Sequence, residues 1–205
     1  MKKFKLTSEF IVDISGVKLF RIKALIEFGN VKAGDLGGYI EKEENLSHMG
    51  NAWVSGNAQV SGDAWVSGNA RVSGDAQVFG DARVSGNAQV SGNARVFGDA
   101  RVSGNARVSG NARVFGNAWV FGDAQVFGDA QVSGDKDYAY AHGFGSCNRT
   151  TTFFRLKDGD VGVRCGCFYG TLAQFRDNVC ETHGETKKAQ EYLMLADLMD
   201  FRFKN

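Results

Sequence analysis

Four side chains near the end of the sequence are of types that bind metal ions or act as nucleophiles. They are Cys165, Cys167, Cys180 and His183. Thiolates and imidazoles are the usual zinc ligands, and residues 180 and 183 would share one face of a helix. The two thiols of Cys-x-Cys point to opposite faces of a strand unless Gly166 forms a bulge, and the spacing matches no common zinc module. We therefore expect buried thiols, and we predict no metal ion or other cofactor.

The same segment offers an alternative function, that of an enzyme with a Cys/His site. His142, His183 and Arg149 are the residues that acid–base chemistry near the cysteines would use. No recognisable nucleophile motif surrounds the cysteines, and the middle of the chain contains no histidine. We therefore predict that the protein is not an enzyme, and we assign no catalytic residue.

Arginines recur at one position of a repeated unit in the middle of the chain, and arginine can pair with phosphate and stack on aromatic rings. The candidate ligand-binding residues are Arg83, Arg95, Arg101, Arg113, Arg149 and His183. An Asp lies two residues before both Arg83 and Arg101. We therefore expect a solvated lattice of Arg and Asp side chains that keeps the β-surface from associating, with nucleotide binding as the alternative.

These arginines are placed by a six-residue repeat, Gly-Asn/Asp-Ala-x-Val-Ser/Phe, which runs without insertion over residues 50–133. An even period keeps each position on one side of a strand. Ala and Val never change and are predicted to face inward, whereas x is Trp, Gln or Arg and faces solvent. Because Gly and Asn/Asp tolerate positive φ, a tight corner is predicted after each three-residue strand, Ala-x-Val. The 84 residues, or fourteen repeats, therefore predict a β-solenoid.

A second period, of eighteen residues, indicates that three strands complete one coil. The bulky corner residues that recur at this interval are Phe79, Phe97 and Phe115, and another corner carries Asn51, Asn69, Asn87 and Asn105. Coils of a β-solenoid stack at roughly 4.8 Å. The Phe and Asn sets are therefore predicted to form ladders along the edges of a triangular prism.

The unit Val-Ser/Phe-Gly-Asn/Asp-Ala-x resembles that of the hexapeptide-repeat proteins. This resemblance implies a parallel β-helix of left-handed sense, and it implies self-association, since trimers are common in that family. Residues 24–54, ALIEFGNVKAGDLGGYIEKEENLSHMGNAWV, are similar to the amino-terminal cap of YdcK-like proteins, which are common in bacteria, phages and prophages. Neither family fixes an activity.

The end of the chain resembles the tails of phage and prophage repeat proteins. The residues that carry this resemblance are Gly145-Ser146, Thr150 to Thr152, Cys165-Gly166-Cys167-Phe168 and Glu181-Thr182-His183-Gly184. The resemblance implies that the protein is encoded by a phage or prophage.

The sequence divides into a β cap over residues 1–49, the hexapeptide repeats over 50–133 and an α+β domain over 134–205. The open end of a β-helix needs a cover, because its unpaired coil invites another chain. Alternating and apolar runs that are split by Ser15-Gly16 predict a hairpin in this cap.

The last segment is predicted to form a small ββαα domain, which completes a mainly β fold. One strand is expected on each side of a turn at Lys157–Asp160, so two strands in all. Thr171 is placed to cap a helix that runs to about Thr182, and a second helix is expected over about 186–201.

Composition excludes several classes of function. The 24 Lys and Arg residues nearly balance 23 Asp and Glu, and the net charge is +1. We therefore predict neither a nucleic-acid partner nor a DNA-mimicking surface. No apolar stretch is long enough for a signal sequence or a membrane span. We expect a cytoplasmic protein with no membrane partner, located in the host cytoplasm if a phage encodes it.

Aromatic residues on the solenoid surface are the candidates for an interface. They are Phe79, Phe97, Phe115, Phe121, Phe127, Trp53, Trp65 and Trp119. A corner ring cannot enter a core that Ala and Val already fill, and soluble monomers rarely expose large apolar strips. Two alternatives to self-association remain. Either the stack packs only on itself, or the last domain folds back over some of Phe115, Phe121 and Phe127, which occupy successive corners of one coil.

The predicted function is a non-enzymatic, self-associating β-helical scaffold that presents its C-terminal domain to a partner. The alternative is a viral counter-defence protein, which would inhibit a host immune protein or sequester a signalling nucleotide. Both hypotheses leave the identity of the protein or nucleotide ligand open.

Overall fold

Short strands arranged around a triangular core form the repeat region in the computed structural model, which describes residues 1–145 and 149–204. The fourteen strands of this region, β4 to β17 in chain order, are Trp53–Val54, Gln59–Val60, Trp65–Val66, Arg71–Val72, Gln77–Val78, Arg83–Val84, Gln89–Val90, Arg95–Val96, Arg101–Val102, Arg107–Val108, Arg113–Val114, Trp119–Val120, Gln125–Val126 and Gln131–Val132. Each strand pairs in parallel with the strand three repeats away. The predicted period of eighteen residues per coil is therefore confirmed.

The solenoid has three faces. The long sheet contains β5, β8, β11, β14 and β17 and is continued by strands of the amino-terminal cap. The tryptophan face contains β6, β9, β12 and β15, and the third face contains β4, β7, β10, β13 and β16. Valines pair with valines and x residues with x residues, so each face carries one column of outward side chains.

The invariant residues of the repeat form the core, as the period predicted. Every repeat Ala and Val is at most 1% exposed. The regular strands span two residues rather than the predicted three, because the Ala N–H closes the preceding corner instead of joining the sheet. In the corner that ends at Ala88, for example, its N–H donates to the Ser85 carbonyl oxygen at 3.3 Å.

Glycine is required at the corners by both its conformation and its close packing. Gly92 has a φ of 66°, in the left-handed region that side chains with a Cβ rarely adopt. A Cβ at Gly92 would also lie 3.1 Å from the backbone nitrogen of Gly110 in the next coil. The same position is glycine throughout the repeats because the coils stack corner upon corner.

The amino-terminal cap contains three strands and one 3₁₀ turn. The hairpin predicted around Ser15-Gly16 is present: β1, Phe4–Val12, pairs antiparallel with β2, Lys18–Ala24. The third strand, β3 at Leu36–Ile40, pairs antiparallel with β2 and parallel with β5. A 3₁₀ turn follows at Glu43–Asn45. The cap therefore continues the long sheet beyond the first coil.

Two buried side chains of the cap replace the donors that a preceding coil would supply. Asn45 Nδ2 donates to the carbonyl oxygens of Gly62 and Ala64, at 3.0 and 2.9 Å. Lys3 Nζ donates to those of Gly50 and Ala52, at 3.3 and 2.8 Å. These carbonyls hold equivalent positions in the first and third repeats of the first coil, so the cap satisfies the open end of the solenoid.

Trp53 is buried under the cap, so the prediction that it faces solvent is wrong. It is 7% exposed, and its ring meets Phe28 edge-on with centroids 5.3 Å apart. Trp53 does occupy an x position on the third face. The loop between β2 and β3 covers this position, because the first coil needs apolar contact with the cap.

The segment after the repeats forms four antiparallel strands and two helices, so the predicted ββαα arrangement is corrected to ββββαα. The elements are β18 at Tyr138–Phe144, β19 at Arg149–Arg155, β20 at Val161–Cys165, β21 at Phe168–Thr171, α1 at Leu172–His183 and α2 at Lys187–Phe203. Both predicted helices are confirmed, and Thr171 Oγ1 accepts from Gln174 N as the predicted cap. The sequence pattern missed β18 and merged β20 with β21.

The carboxy-terminal sheet covers the second open end of the solenoid. Phe154 and Tyr138 are buried in the same cluster as the repeat Ala and Val residues. Gln125 N, at the end of the third face, donates to Thr152 Oγ1 at 2.9 Å. Neither helix of the described chain is long and apolar enough to cross a membrane. Ser146 of the predicted tail motif lies outside the described residues, as does Cys147.

Candidate functional site

The tryptophan face presents a column of two tryptophans and two arginines. The strand register places Trp65, Arg83, Arg101 and Trp119 one above another in successive coils. Trp65 is 43% exposed and Trp119 is 47% exposed, and both arginines are also exposed. Four candidate residues from separate repeats are therefore brought together on one flat surface.

Trp119 is held in place by its neighbours. Its indole Nε1 donates to Ser103 Oγ at 3.0 Å, and its ring lies 5.1 Å from that of Phe121 between centroids. Phe121 in turn meets Tyr140 of β18 edge-on at 5.9 Å. An aromatic cluster therefore joins the tryptophan face to the carboxy-terminal domain.

The other two faces carry polar columns. The outward residues of the long sheet are Gln59, Gln77, Arg95, Arg113 and Gln131. The outward residues of the third face, after the buried Trp53, are Arg71, Gln89, Arg107 and Gln125. Within the solenoid that the structure describes, exposed tryptophan is thus confined to one face. Assigning every x residue to a face by the eighteen-residue coil would have predicted this distribution. Considering each tryptophan separately does not.

The expected lattice of Arg and Asp side chains is not formed. None of the solenoid arginines makes an ion pair with any residue that the structure describes. Each Asp stands at a corner and each Arg on the flat face that follows, so their side chains leave the backbone in different directions. The arginines are therefore free of carboxylate partners in this part of the chain.

Corner asparagines form the predicted hydrogen-bonded ladder from Asn69 onward. Asn69 Nδ2 donates to Asn87 Oδ1 at 3.0 Å, and Asn87 Nδ2 donates to Asn105 Oδ1 at 3.1 Å. Asn105 then donates to Asp123 Oδ1 at 2.9 Å. An amide can accept from one coil and donate to the next, whereas a carboxylate only accepts. The Asp therefore ends the run, a rule that the sequence analysis did not identify.

Phe79, Phe97 and Phe115 form the predicted ladder. The first two rings stack with centroids 4.9 Å apart and an interplanar angle of 1°, and the second pair stacks at 5.2 Å and 6°. All three side chains are half-buried. Self-stacking therefore removes part of the apolar surface that the sequence analysis assigned to an interface.

The carboxy-terminal domain packs against the two remaining corner rings. Phe127 meets Tyr169 edge-on at 5.1 Å, and the Arg164 guanidinium lies 5.0 Å from the centroid of Phe127. Phe121 contacts Tyr140 but stays partly exposed. The hypothesis that the last domain folds back over some of these corners is supported at Phe121 and Phe127, whereas Phe115 stacks on Phe97.

The cysteines differ from the expected buried thiols. Cys167 and Cys180 are exposed, and Cys165 is half-buried. Gly166 and Cys167 form the turn between β20 and β21, because Cys165 pairs with Phe168 across it. Cys167 thus lies at a hairpin tip, and Cys180 lies outside the buried face of α1, which is formed by Leu172, Phe175 and Val179. Within residues 1–145 and 149–204, no three metal-binding side chains are grouped to hold a metal ion.

The remaining polar candidates lie apart from the solenoid columns. Cys165 Sγ accepts from Thr151 Oγ1 at 3.2 Å, and the His183 ring stacks on Tyr192 with centroids 5.8 Å apart. Arg149 is exposed at the start of β19. Cys165 Sγ also lies 3.9 Å from the Tyr192 hydroxyl oxygen, so one tyrosine contacts both the half-buried thiol and the imidazole.

Comparison with known families matches the middle coils to a family model of β-solenoid repeats. The YdcK β-solenoid repeat matches residues 76–92, 88–104, 100–114 and 106–122. The match agrees with the parallel solenoid and confirms the resemblance to YdcK-type repeats. A search of curated proteins found no match. The family match describes the architecture and names no activity, ligand or partner.

Proposed function

We propose that this β-solenoid repeat protein of the YdcK type is a non-enzymatic scaffold that self-associates through its tryptophan face and presents its C-terminal domain to a protein partner. The observation that carries the proposal is the column of Trp65, Arg83, Arg101 and Trp119 on one flat sheet. Trp and Arg are the residue types most enriched at the centres of protein interfaces.

The arginines of this column support the same conclusion. Two adjacent arginines repel each other across neighbouring strands, and nothing in the described chain neutralises them. A second copy would place aromatic rings or acidic corners near the guanidinium groups. Cation–π contacts of this kind contribute about 0.5–2 kcal/mol each, depending on their exposure.

A closed symmetric assembly is the form that this surface favours. A repeat surface without closure would continue into a filament, whereas rotation about one axis buries the same face on every copy. The stacked Phe79, Phe97 and Phe115 edge adjoins the tryptophan face and would lie at the rim of such an interface. A trimer, the form implied by the hexapeptide-repeat resemblance, is our expectation.

The carboxy-terminal domain is suited to contact a different partner. Its helix α2 exposes Met194 and Leu198, which lie about one turn apart. The cluster of Trp119, Phe121 and Tyr140 connects this domain to the tryptophan face. Self-association would therefore display several copies of the domain in a fixed arrangement.

The proposal is tested by replacing both tryptophans with glutamine, a residue that the repeat already uses at the x position. Trp65→Gln/Trp119→Gln should fold normally and should be smaller than the unmodified protein in light scattering coupled to size-exclusion chromatography. The control is Arg71→Gln/Arg107→Gln on the third face, which should leave the mass unchanged. An unmodified protein that is monomeric at micromolar concentration would refute self-association.

A further inference from the structure

A cleft of about 510 Å³ lies between the tip of the cap hairpin and the start of the phenylalanine stack. The hairpin contributes residues 12–15 and Val17, and the solenoid contributes Gln59, Ser61, Gln77, Phe79 and Arg95 among others. The volume is within the usual range of small-molecule sites. The cleft lies on the long sheet and at the corner that joins this sheet to the tryptophan face.

The phenylalanine stack ends at this cleft. Phe79 stacks on Phe97 with an interplanar angle of 1°, and the same corner one coil earlier holds Ser61. A serine is too small to cover an aromatic ring, so the second ring face of Phe79 is directed to the cleft. A planar ring at the coil spacing of roughly 4.8 Å would continue the stack as a fourth member.

The wall of the cleft supplies polar groups in a fixed order. Gln59, Gln77 and Arg95 stand in successive coils, so their column spans two coil spacings, or roughly 10 Å. The two amides can donate and accept, and the Arg95 guanidinium makes no ion pair with any described residue. An anionic group would pair with Arg95.

The two acidic groups of the cleft already have backbone partners. Glu41 Oε2 accepts from Gly62 N at 2.6 Å. Asp13 Oδ1 accepts from Ser15 N and Val17 N, at 2.8 and 2.9 Å. These carboxylates disfavour an anion at the hairpin end, and so they orient the anionic end of a ligand toward Arg95.

The hairpin tip carries an apolar residue that the fold itself does not use. Ile14 is fully exposed although Asp13 orders the turn around it, and Val12 is largely exposed beside it. Apolar side chains held over a cleft gain contact area only when the cleft is occupied. The tip is therefore placed to cover a bound ring from the side opposite to the sheet.

We infer that this cleft binds a planar aromatic ligand that carries an anionic group, with the ring stacked on Phe79 and the anion paired with Arg95. A nucleoside monophosphate and an aromatic carboxylate share this chemistry. The Phe79 corner adjoins the tryptophan face, but ligand binding in the cleft does not require self-association. Its test uses variants that leave Trp65 and Trp119 unchanged, so the two proposals fail separately.

The experiment titrates the protein with adenosine and guanosine monophosphates, the matching nucleosides, and 2-naphthoate, by calorimetry and saturation-transfer NMR. We expect the anionic ligand to bind at least about tenfold more tightly than its uncharged counterpart. Arg95→Gln should abolish this preference, whereas Arg113→Gln, one coil further along the same column, should keep it. Binding of 2-naphthoate alone would assign the site to carboxylates rather than nucleotides.

The decisive variant is Ser61→Phe, which adds the fourth ring from the protein itself. Phenylalanine is native at this corner in the next three coils, so the variant should fold, as circular dichroism would verify. It should abolish binding, and Phe115→Ser at the far end of the stack should not. Phe79→Ser replaces Ser61→Phe as the test if that variant does not fold. The inference is overturned if no probe binds at millimolar concentration, or if binding persists in folded Ser61→Phe or Phe79→Ser protein.

Discussion

The side-chain nitrogen of Lys3 lies 2.8 Å from the carbonyl oxygen of Ala52, in the first coil of the solenoid, and the lysine is almost completely buried. Burial lowers the pKa of Lys3 to about 8, from 10.5. The cap thus satisfies the first coil with a cation that has lost most of its hydration, which makes the cap sensitive to pH.

We predict that the contribution of Lys3 to the free energy of unfolding rises between about pH 8 and pH 10.5. In this window the unfolded chain keeps the Lys3 proton while the folded chain releases it, so unfolding requires proton uptake and becomes less favourable as pH rises. The gain is at most about 3 kcal/mol. Urea unfolding at pH 7.5, 9 and 10 measures it, and Lys3→Met should lack it. Equal pH dependence in both proteins would contradict the prediction.

Tyr138 is predicted to have the opposite effect at higher pH. Its hydroxyl donates to the Trp119 carbonyl oxygen, and burial raises the pKa of Tyr138 to about 12. Between pH 10 and pH 12 the folded chain retains a proton that the unfolded chain loses, so stability falls with rising pH. In Tyr138→Phe, the free energy of unfolding should fall less steeply over this pH range. Unfolding followed by circular dichroism from pH 9.5 to 11.5 compares the two slopes, and Tyr39→Phe serves as the control.

The direction of the asparagine ladder predicts unequal effects of two charge changes. Asn105→Asp removes the donor to Asp123 and places two carboxylates in contact, so it should lower the free energy of unfolding by about 1 kcal/mol at neutral pH. Asp123→Asn keeps the acceptor for Asn105 and should be nearly neutral. Urea unfolding at pH 7 measures both, and the deficit of Asn105→Asp should shrink at pH 4. Equal effects of the two variants would show that the ladder contributes nothing.

The repeat region could be predicted closely because one short pattern determines it. Alternation of side chains along a strand predicts the inward Ala and Val residues. The eighteen-residue interval predicts the coil length and the stack from Phe79 to Phe115. The left-handed sense came from the resemblance to hexapeptide-repeat proteins and stays a prediction. A local pattern states which positions repeat, and this is enough when every unit contacts only its neighbours.

The two ends could not be predicted in the same way, because their contacts are not periodic. Trp53 occupies the same repeat position as Trp65 and Trp119, and only the cap loop over the first coil makes it buried. Cys167 looked like a strand residue because nothing marked Gly166 as a turn. The candidate cleft was missed for the same reason, since it depends on where the hairpin tip lies relative to Phe79.

The final prediction concerns the join between the solenoid and the last domain, where two adjacent residues of β19 face opposite cores. Phe154 is buried among the repeat valines, whereas Phe153 is buried in the domain core and meets Phe175 edge-on at 6.2 Å. Each Phe→Ala change should cost about 3–5 kcal/mol of local stability. In hydrogen exchange, Phe154→Ala should increase exchange in β16 and β17, and Phe153→Ala should increase it in α1 and α2. Local opening measured by hydrogen exchange reports the contacts on which each segment depends. Increased exchange in the same segments in both variants would contradict the prediction and would show that the two cores unfold as one cooperative unit.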